Sequence, residues 1–430
     1  MKVFKFGGAS VKTASAVKNV KSILDNFSNE KLFVVVSAMG KTTNAMEGIV
    51  MALYDKDFDV FCALVEDRKE FHLEIMNSLF EDKNHSVFEE VNGLFDALIA
   101  KKDEPLVENY NFQYDQIVSL GEVLSSKIIA AYLSTFNVDV CWRDARLFIR
   151  TNNDYRKAEV DWEKTQELMG LELNHPDCRI SITQGFLGHT EEGFTTTLGR
   201  EGSDFTAGII AYCTNAESVT IWKDVPGMLN ADPKWFENTV KIDKISYREA
   251  IELAYYGASV IHPKTIKPLQ NKAIPLYIKS FLDPDARGTV IQESTENDDL
   301  TPSFIFKINQ ILLSISPKDF SFVVEENLSD IFKKLALAGA HINVMQNSAV
   351  SFTVCLDIDN FGLNRLVDLL KDEYDVKYNS NLELVTIRHY DQETINRVTK
   401  NREILMEQKT RQTVRIVMRN LVEGILNDER

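Results

Sequence analysis

The chain is short of positive charge. Its 48 lysines and arginines face 64 aspartates and glutamates, a formal net charge of −16. That balance argues against nucleic acid or an acidic membrane surface as a partner, because phosphate backbones select basic surfaces. Cysteine is also sparse: Cys62, Cys141, Cys178, Cys213 and Cys355 show no Cys-x-x-Cys and no regular spacing. Neither a disulfide framework nor a zinc site is indicated, and reduced, buried thiols are expected. No apolar run approaches the ~20 residues that span a bilayer. The first residues, with Lys2 and Lys5 and no apolar core, do not read as a secretory signal. A soluble, cytoplasmic protein is therefore expected. A P-loop is missing too, since Gly-x-x-x-x-Gly-Lys-Ser/Thr occurs nowhere. What the 430 residues do have is 44% hydrophobic content, enough for two or three domains.

The stretch that organises the rest is the first ten residues, a short apolar strand that runs into Gly7-Gly8 and Ser10. Paired glycines at a strand end let the backbone approach a phosphate, and a following helix would aim its free N–H groups at the anion. Lys5 lies within that strand. An unpaired ammonium is costly in a strand covered on both faces, so Lys5 either reaches past the strand end toward negative charge or marks an edge strand in water.

Residues 11–27 read as a helix from Val17, Val20, Ile23, Leu24 and Phe27. Leu32 to Val36 is a buried parallel-type strand ending in Ser37 and a hydroxyl-rich loop through Thr43. Residues 46–117 form a helical cover. A helix beginning near Ser119 places Glu122 in its first turn, where an acid complements the helix dipole. Val138–Trp142, Arg179–Thr183, Ser218–Trp222 and Pro275–Ser280 read as strands. Strands alternating with helices predict an α/β fold, a mostly parallel open sheet flanked by helices, with ligands at the strand C-termini.

Two loops carry chemistry. Thr197-Leu198-Gly199-Arg200-Glu201-Gly202-Ser203-Asp204 gathers glycines, hydroxyls, a guanidinium and a carboxylate at one helix entrance. Arg200 suits bidentate capture of a carboxylate, while Ser203 or Asp204 alone would serve as an N-cap. Lys223 to Pro233 is a turn-rich loop after a strand, of the kind that holds a nucleotide.

Lys5-Phe6-Gly7-Gly8, Val35-Val36-Ser37-Ala38, Thr43-Asn44, Gly121-Glu122, Gln184-Gly185-Phe186, Thr197-Leu198-Gly199-Arg200 with Gly202-Ser203-Asp204, and Asp224-Val225-Pro226-Gly227 stand in that order. Together they resemble the aspartate kinases of the amino-acid kinase family. The resemblance implies transfer of the ATP γ-phosphoryl group, with Mg²⁺, to the side chain of L-aspartate, the first step toward lysine, threonine and methionine. It places Lys5 and Asp204 at the catalytic centre, Asp204 orienting the cation. Glu122 would hold the substrate ammonium and Arg200 its α-carboxylate, with Ser37, Thr43, Phe186 and Ser203 completing the pocket. Lys5, Gly7, Gly8, Ser10, Lys223, Asp224, Leu229, Lys234, Ser259 and Val260 fall at nucleotide-side positions. No protein metal site is implied.

The chain departs from that pattern in several places. Glu201 replaces a second glycine, Leu229 a tyrosine, Lys234 an arginine and Ser259 a lysine. Lys223 stands where relatives often carry threonine; it either reaches the phosphates in place of the missing lysine, and so acts catalytically, or snorkels to solvent. The resemblance covers residues 1–292 as a catalytic domain. Polar, acidic residues 293–302 read as a linker. Residues 303–430 resemble paired, nested ACT regulatory domains with the second unit shortened, a module that binds an amino-acid effector or serves association in a homodimer or larger homo-oligomer. Asn343 and Asn347 stand where the effector segment has aspartate and threonine, so threonine or no effector is expected rather than lysine. Sister kinases acting on another carboxylate and a silent amino-acid sensor are the rival readings; the Arg200 motif and the intact Lys5, Glu122, Arg200 and Asp204 weigh against them.

Overall fold

The computed structural model describes residues 1–420 except 174–177, 237, 259, 300 and 320. The chain divides into two compact units: Met1–Met228 with Lys241–Ile251 and Ser259–Asn297, and Leu229–Val240 with Glu252–Ala258 and the residues from Asp298 on.

The first unit opens with β1 (Lys2–Phe6), α1 (Ala14–Asp25) and β2 (Leu32–Val36). The helical cover follows as α2 (Thr42–Tyr54), α3 (Phe58–Leu79), α4 (Ser86–Ala100) and α5 (Tyr110–Ser134). Then come β3 (Val140–Arg143), α6 (Trp162–Leu173), β4 (Ile180–Gln184), β5 (Leu187–His189), β6 (Thr195–Thr197), α7 (Gly202–Thr214) and β7 (Ser218–Lys223). The chain continues through β8 (Met228–Leu229), β9 (Lys241–Ile242), β10 (Lys244–Ser246), α8 (Tyr247–Tyr256), α9 (Pro263–Asn271), β11 (Leu276–Ser280) and β12 (Thr289–Gln292). Eight strands form one sheet in the order β10-β12-β11-β7-β1-β2-β4-β3. Only the β11–β12 pair is antiparallel. The apolar run of β2 and the mixed strand β4 are both buried at every position, as a sheet covered on both faces requires. Side chains alternate across β1: Phe4 and Phe6 join the core built from α1 to α5, while Lys5 turns to the other face, toward α7.

Several expectations need correction. Glu122 is not in a first turn, because α5 runs unbroken for 25 residues and Glu122 lies in its middle. Gly121 is there for close approach: a β-carbon on it would meet Thr42 Cγ2 at 3.0 Å and Ala38 Cβ at 3.3 Å. By length and composition α5 could cross a membrane, yet 78% of its most apolar window is buried inside the fold. Scattered polar residues break up its apolar run, which is why a search for an unbroken one passes over it. No α-helix directly follows Gly7-Gly8 either; a single 3-10 turn, Gly8–Val11, intervenes. Cys141 and Cys178 are joined as a disulfide where free thiols were expected, with Cα atoms 6.0 Å apart. Register pairing of β3 with β4 brings these distant residues together, and no spacing rule reveals it.

In the second unit β13 (Ser303–Pro317), α10 (Glu325–Leu337), β14 (His341–Asn347), β15 (Phe352–Asp357), α11 (Asn360–Leu370), β16 (Tyr374–Arg388), α12 (Gln392–Thr399), β17 (Arg402–Lys409) and β18 (Thr413–Asn420) build one antiparallel sheet, ordered β14-β15-β13-β16-β18-β17. Here β16 is one continuous strand of 15 residues. Its polar middle reads as a turn in sequence, but it pairs with β13 along its length through an irregularity at Lys307–Leu312. One apolar cluster gathers α10, α11 and β15, and a second gathers α12 and β18.

Gly8 tests how tightly the first unit is built. A β-carbon there would lie 2.7 Å from the Ala38 carbonyl oxygen and 2.9 Å from that of Gly40. Gly8→Ala should therefore cost about 1–3 kcal/mol of stability, the usual cost of overpacking. Denaturant unfolding with an unchanged midpoint would contradict this close-approach role.

Candidate functional site

At the C-terminal ends of β1, β2 and β7 the first unit encloses a cavity of about 500 Å³. One wall is a buried charge cluster. Lys5 Nζ lies 2.6 Å from Asp204 Oδ1, and Lys223 Nζ lies 3.2 Å from Asp204 Oδ2. Lys223 also donates to the Val260 carbonyl. Burial pushes the Asp204 carboxyl up, but the two ammonium groups more than offset this and hold it below its ordinary value. Lys223 thus belongs to the cluster and does not simply extend into solvent. Asp204 lies in the first turn of α7. The N-cap there is Glu201, in a left-handed conformation with no side-chain capping bond, so neither Ser203 nor Asp204 is the cap.

The opposite wall comes from α5. Glu122 is 3% exposed. Burial pushes its carboxyl up to about 8, against a hydrogen bond from the Ala38 backbone and the charge of Lys5. Its Oε2 has no hydrogen-bond partner among the described residues. A buried carboxyl group with an unpartnered oxygen suits a cationic group arriving from outside, whose charge would favour the ionised form. Ser37, Thr43, Phe186, Arg200 and Ser203 line the same cavity. Arg200 is exposed and forms no ion pair among the described residues, which leaves its fork free for an anion.

Of the nucleotide-side candidates, Gly8, Lys5 and Lys223 line the cavity. Gly7 leaves room for the Lys5 ammonium, 3.3 Å from where its β-carbon would be. Ser10 is buried and donates to the Trp222 carbonyl at 3.4 Å, a structural contact. Val260 touches the cluster only through its carbonyl. Asp224 is exposed and is not among the lining residues; Leu229 and Lys234 belong to the second unit; Ser259 lies outside the described residues.

The sequence reading missed Tyr114, Asp115 and Arg156. Tyr114 and Arg156 line the cavity. Asp115 is fully buried and accepts from the backbone N–H of Arg156 at 3.0 Å, the backbone N–H of Thr197 at 2.9 Å and the Thr197 hydroxyl at 2.7 Å. Burial pushes its carboxyl up to about 6 against those bonds. Asp115 lies two helical turns before Glu122, on the same face of α5, and that spacing was visible in the sequence once the helix is started at its true N-terminus.

A model of the amino acid kinase family matches residues 1–280. The chain is 32% identical over 357 residues to the lysine-sensitive aspartokinase 3 of Escherichia coli, covering 83% of this chain and 78% of that protein. Among solved structures it resembles E. coli aspartokinase III in complex with lysine and aspartate, with a TM-score of 0.81 at 28% identity over 97% of this chain and 95% of that one. The form of E. coli aspartokinase III in complex with aspartate and ADP gives 0.78 at 27% identity over 99% and 97%.

The raised Glu122 carboxyl has a thermodynamic consequence. Its folded value lies above the ordinary 4.5, so the folded state holds the proton longer and stability declines as pH rises from the ordinary value through about 8. Glu122→Gln should then be more thermostable than the parent, with an advantage that grows from pH 5 to pH 9. Parallel melting curves across that range would contradict the assignment.

Proposed function

Because the chain belongs to the amino acid kinase family and, within it, to the aspartokinases, we infer that it transfers the γ-phosphoryl group of ATP to the side-chain carboxylate of L-aspartate, giving 4-phospho-L-aspartate. The observation that carries the site reading is the meeting of Lys5, Asp204 and Lys223 across from Glu122 and Arg200 in one cavity.

The acceptor needs no general base. A carboxylate with a pKa of about 3.9 is already ionised at neutral pH. The barrier is instead the approach of one anion to another. Glu122 would take the aspartate ammonium on its free oxygen and Arg200 the α-carboxylate, which leaves the β-carboxylate directed toward the phosphate end. There Lys5 and Lys223, poised by Asp204, would neutralise charge that develops on the transferring group, the preorganised electrostatic route to phosphoryl transfer. Among the described residues no cluster of three or more His, Cys, Asp or Glu is placed to hold a metal, and Asp204 is already engaged by two ammonium groups. Mg²⁺ therefore fits as an ion carried on the ATP phosphates, which it would help to neutralise.

ADP release measured with aspartate, glutamate, acetylglutamate and UMP tests the substrate; turnover with glutamate or UMP but not aspartate would assign a sister kinase. Lys223→Thr should lower kcat more than tenfold with little change in KM for aspartate, since its charge is needed mainly in the transition state. A Lys223→Thr enzyme with parental turnover would show that Lys5 and the metal suffice.

The second unit reads as the regulatory module, and as the contact surface of a homodimer. Asn343 is buried there, and its amide is committed internally. It accepts from Lys307 Nζ at 2.7 Å and donates to Gln310 Oε1 at 2.7 Å and Asp357 Oδ2 at 2.9 Å. The ammonium of a free lysine finds no open acceptor at that amide. Millimolar lysine should leave the rate within about twofold of the uninhibited value, at tenfold discrimination per 1.4 kcal/mol; inhibition at micromolar lysine would show that other groups bind it.

A further inference from the structure

Arg156 occupies a backbone conformation that favours glycine, φ +70°, and still places a guanidinium at the cavity. Nothing about the loop's path requires a side chain there. Arginine at such a position is strained, and a strained residue at a ligand cavity is a pointer to function. Three further observations give the pointer a direction.

First, the loop is held where the guanidinium can act. The Arg156 backbone N–H donates to both oxygens of Asp115, at 3.0 and 3.2 Å. The same carboxylate holds Thr197, three residues before Arg200. The Arg156 carbonyl lies 3.2 Å from where a β-carbon on Gly199 would sit. One buried acid thus fixes the segments that bear Arg156 and Arg200 against each other.

Second, the side chain rests on contacts that are easily given up. Its guanidinium lies 4.3 Å from the Tyr114 ring centroid and pairs with Glu47 at 3.4 Å, with both side chains of the pair about two-fifths exposed, 40% and 43%. A pair this long and this exposed contributes little.

Third, one of those resting partners, Tyr114, lines the cavity itself. Tyr114 is on α5, eight residues and about 12 Å along the helix from Glu122. Glu47 is one turn beyond Thr43 on α2. Tyr114 and Arg156 line the same cavity as Thr43, Glu122 and Arg200.

We propose that Arg156 is a second guanidinium of the amino-acid subsite: it leaves Tyr114 and Glu47 to engage the α-carboxylate of the bound substrate beside Arg200, with Asp115 as the positioning residue for both. The inference rests on the aspartokinase reading of this cavity. It assigns to Arg156 the ground-state capture of substrate, with no part in neutralising the transferring phosphoryl group.

Arg156→Gly is the direct test, because glycine adopts the left-handed backbone without strain and the fold should survive. The full-length variant should show KM for aspartate raised about tenfold or more, KM for ATP and kcat within about twofold of the parent, and a melting midpoint unchanged or higher. Added guanidinium ion, at concentrations that leave the parent's KM and melting midpoint unaltered, should restore part of the lost affinity. Arg156→Lys should fall between the two. An unchanged KM for aspartate, or a rise confined to KM for ATP, overturns the proposal. So does a variant whose kcat and melting midpoint fall together, which would give Arg156 a packing role. The parent enzyme separates the two levels: no ADP release with aspartate overturns the aspartokinase reading and this inference with it, whereas normal parental turnover with an indifferent Arg156→Gly overturns the inference alone.

Discussion

The site depends on a pair of ammonium groups held against one buried carboxylate. Burying Lys5 and Asp204, 7% and 2% exposed, is costly unless each charge is matched. The sheet order supplies the match: β1 and β7 are neighbours in parallel register, so Lys5 and Lys223 emerge from adjacent strands near the same edge. Helix α7 crosses that edge and delivers Asp204 between them. Three groups with two positive charges and one negative leave the cavity end net positive, the polarity that a triphosphate needs. The cluster is thus both a folding constraint and, in the proposed reaction, the catalytic feature.

Around it the backbone is held in uncommon conformations. Arg156, Phe186 and Glu201 all line the cavity and all have positive φ, at 70°, 71° and 53°. Two of them are fixed by neighbours: the Phe186 N–H donates to the Thr206 hydroxyl at 2.9 Å, and the Arg156 N–H donates to Asp115 at 3.0 Å. Strain of this kind persists only where surrounding structure over-determines it. It also leaves the lining backbone fixed before substrate arrives, which lowers the cost of ordering it on binding.

Much of this was legible in the sequence, for physical reasons. Lys5 in an apolar strand pointed either to negative charge or to an edge strand in water, of which the first holds, and the buried run of β2 demanded a sheet covered on both faces. Arg200 beside glycines and hydroxyls pointed to the cavity that it lines. What escaped was tertiary in origin. Gly121 resembled a helix start because its reason for being glycine, the approach of α2 and Ala38, is invisible along the chain. Asp115 and Arg156 meet across 41 residues with no motif to join them. The polar centre of β16 looked like a turn because its partner strand, β13, carries the complementary irregularity far away in sequence.

The two 15-residue strands β13 and β16 run the full width of the second unit, so the apolar cluster of α10 and α11 and that of α12 and β18 hang from the same hydrogen-bonded ladder. Neither half can unfold without fraying strands that the other half needs. Amide protons along the middle of that ladder should therefore exchange with solvent only in whole-unit opening events, while those of the edge strands β14 and β17 exchange through local fraying. Mechanically, such a unit behaves as one plate with a crease at Lys307–Leu312, and a force applied to one edge is borne by both halves.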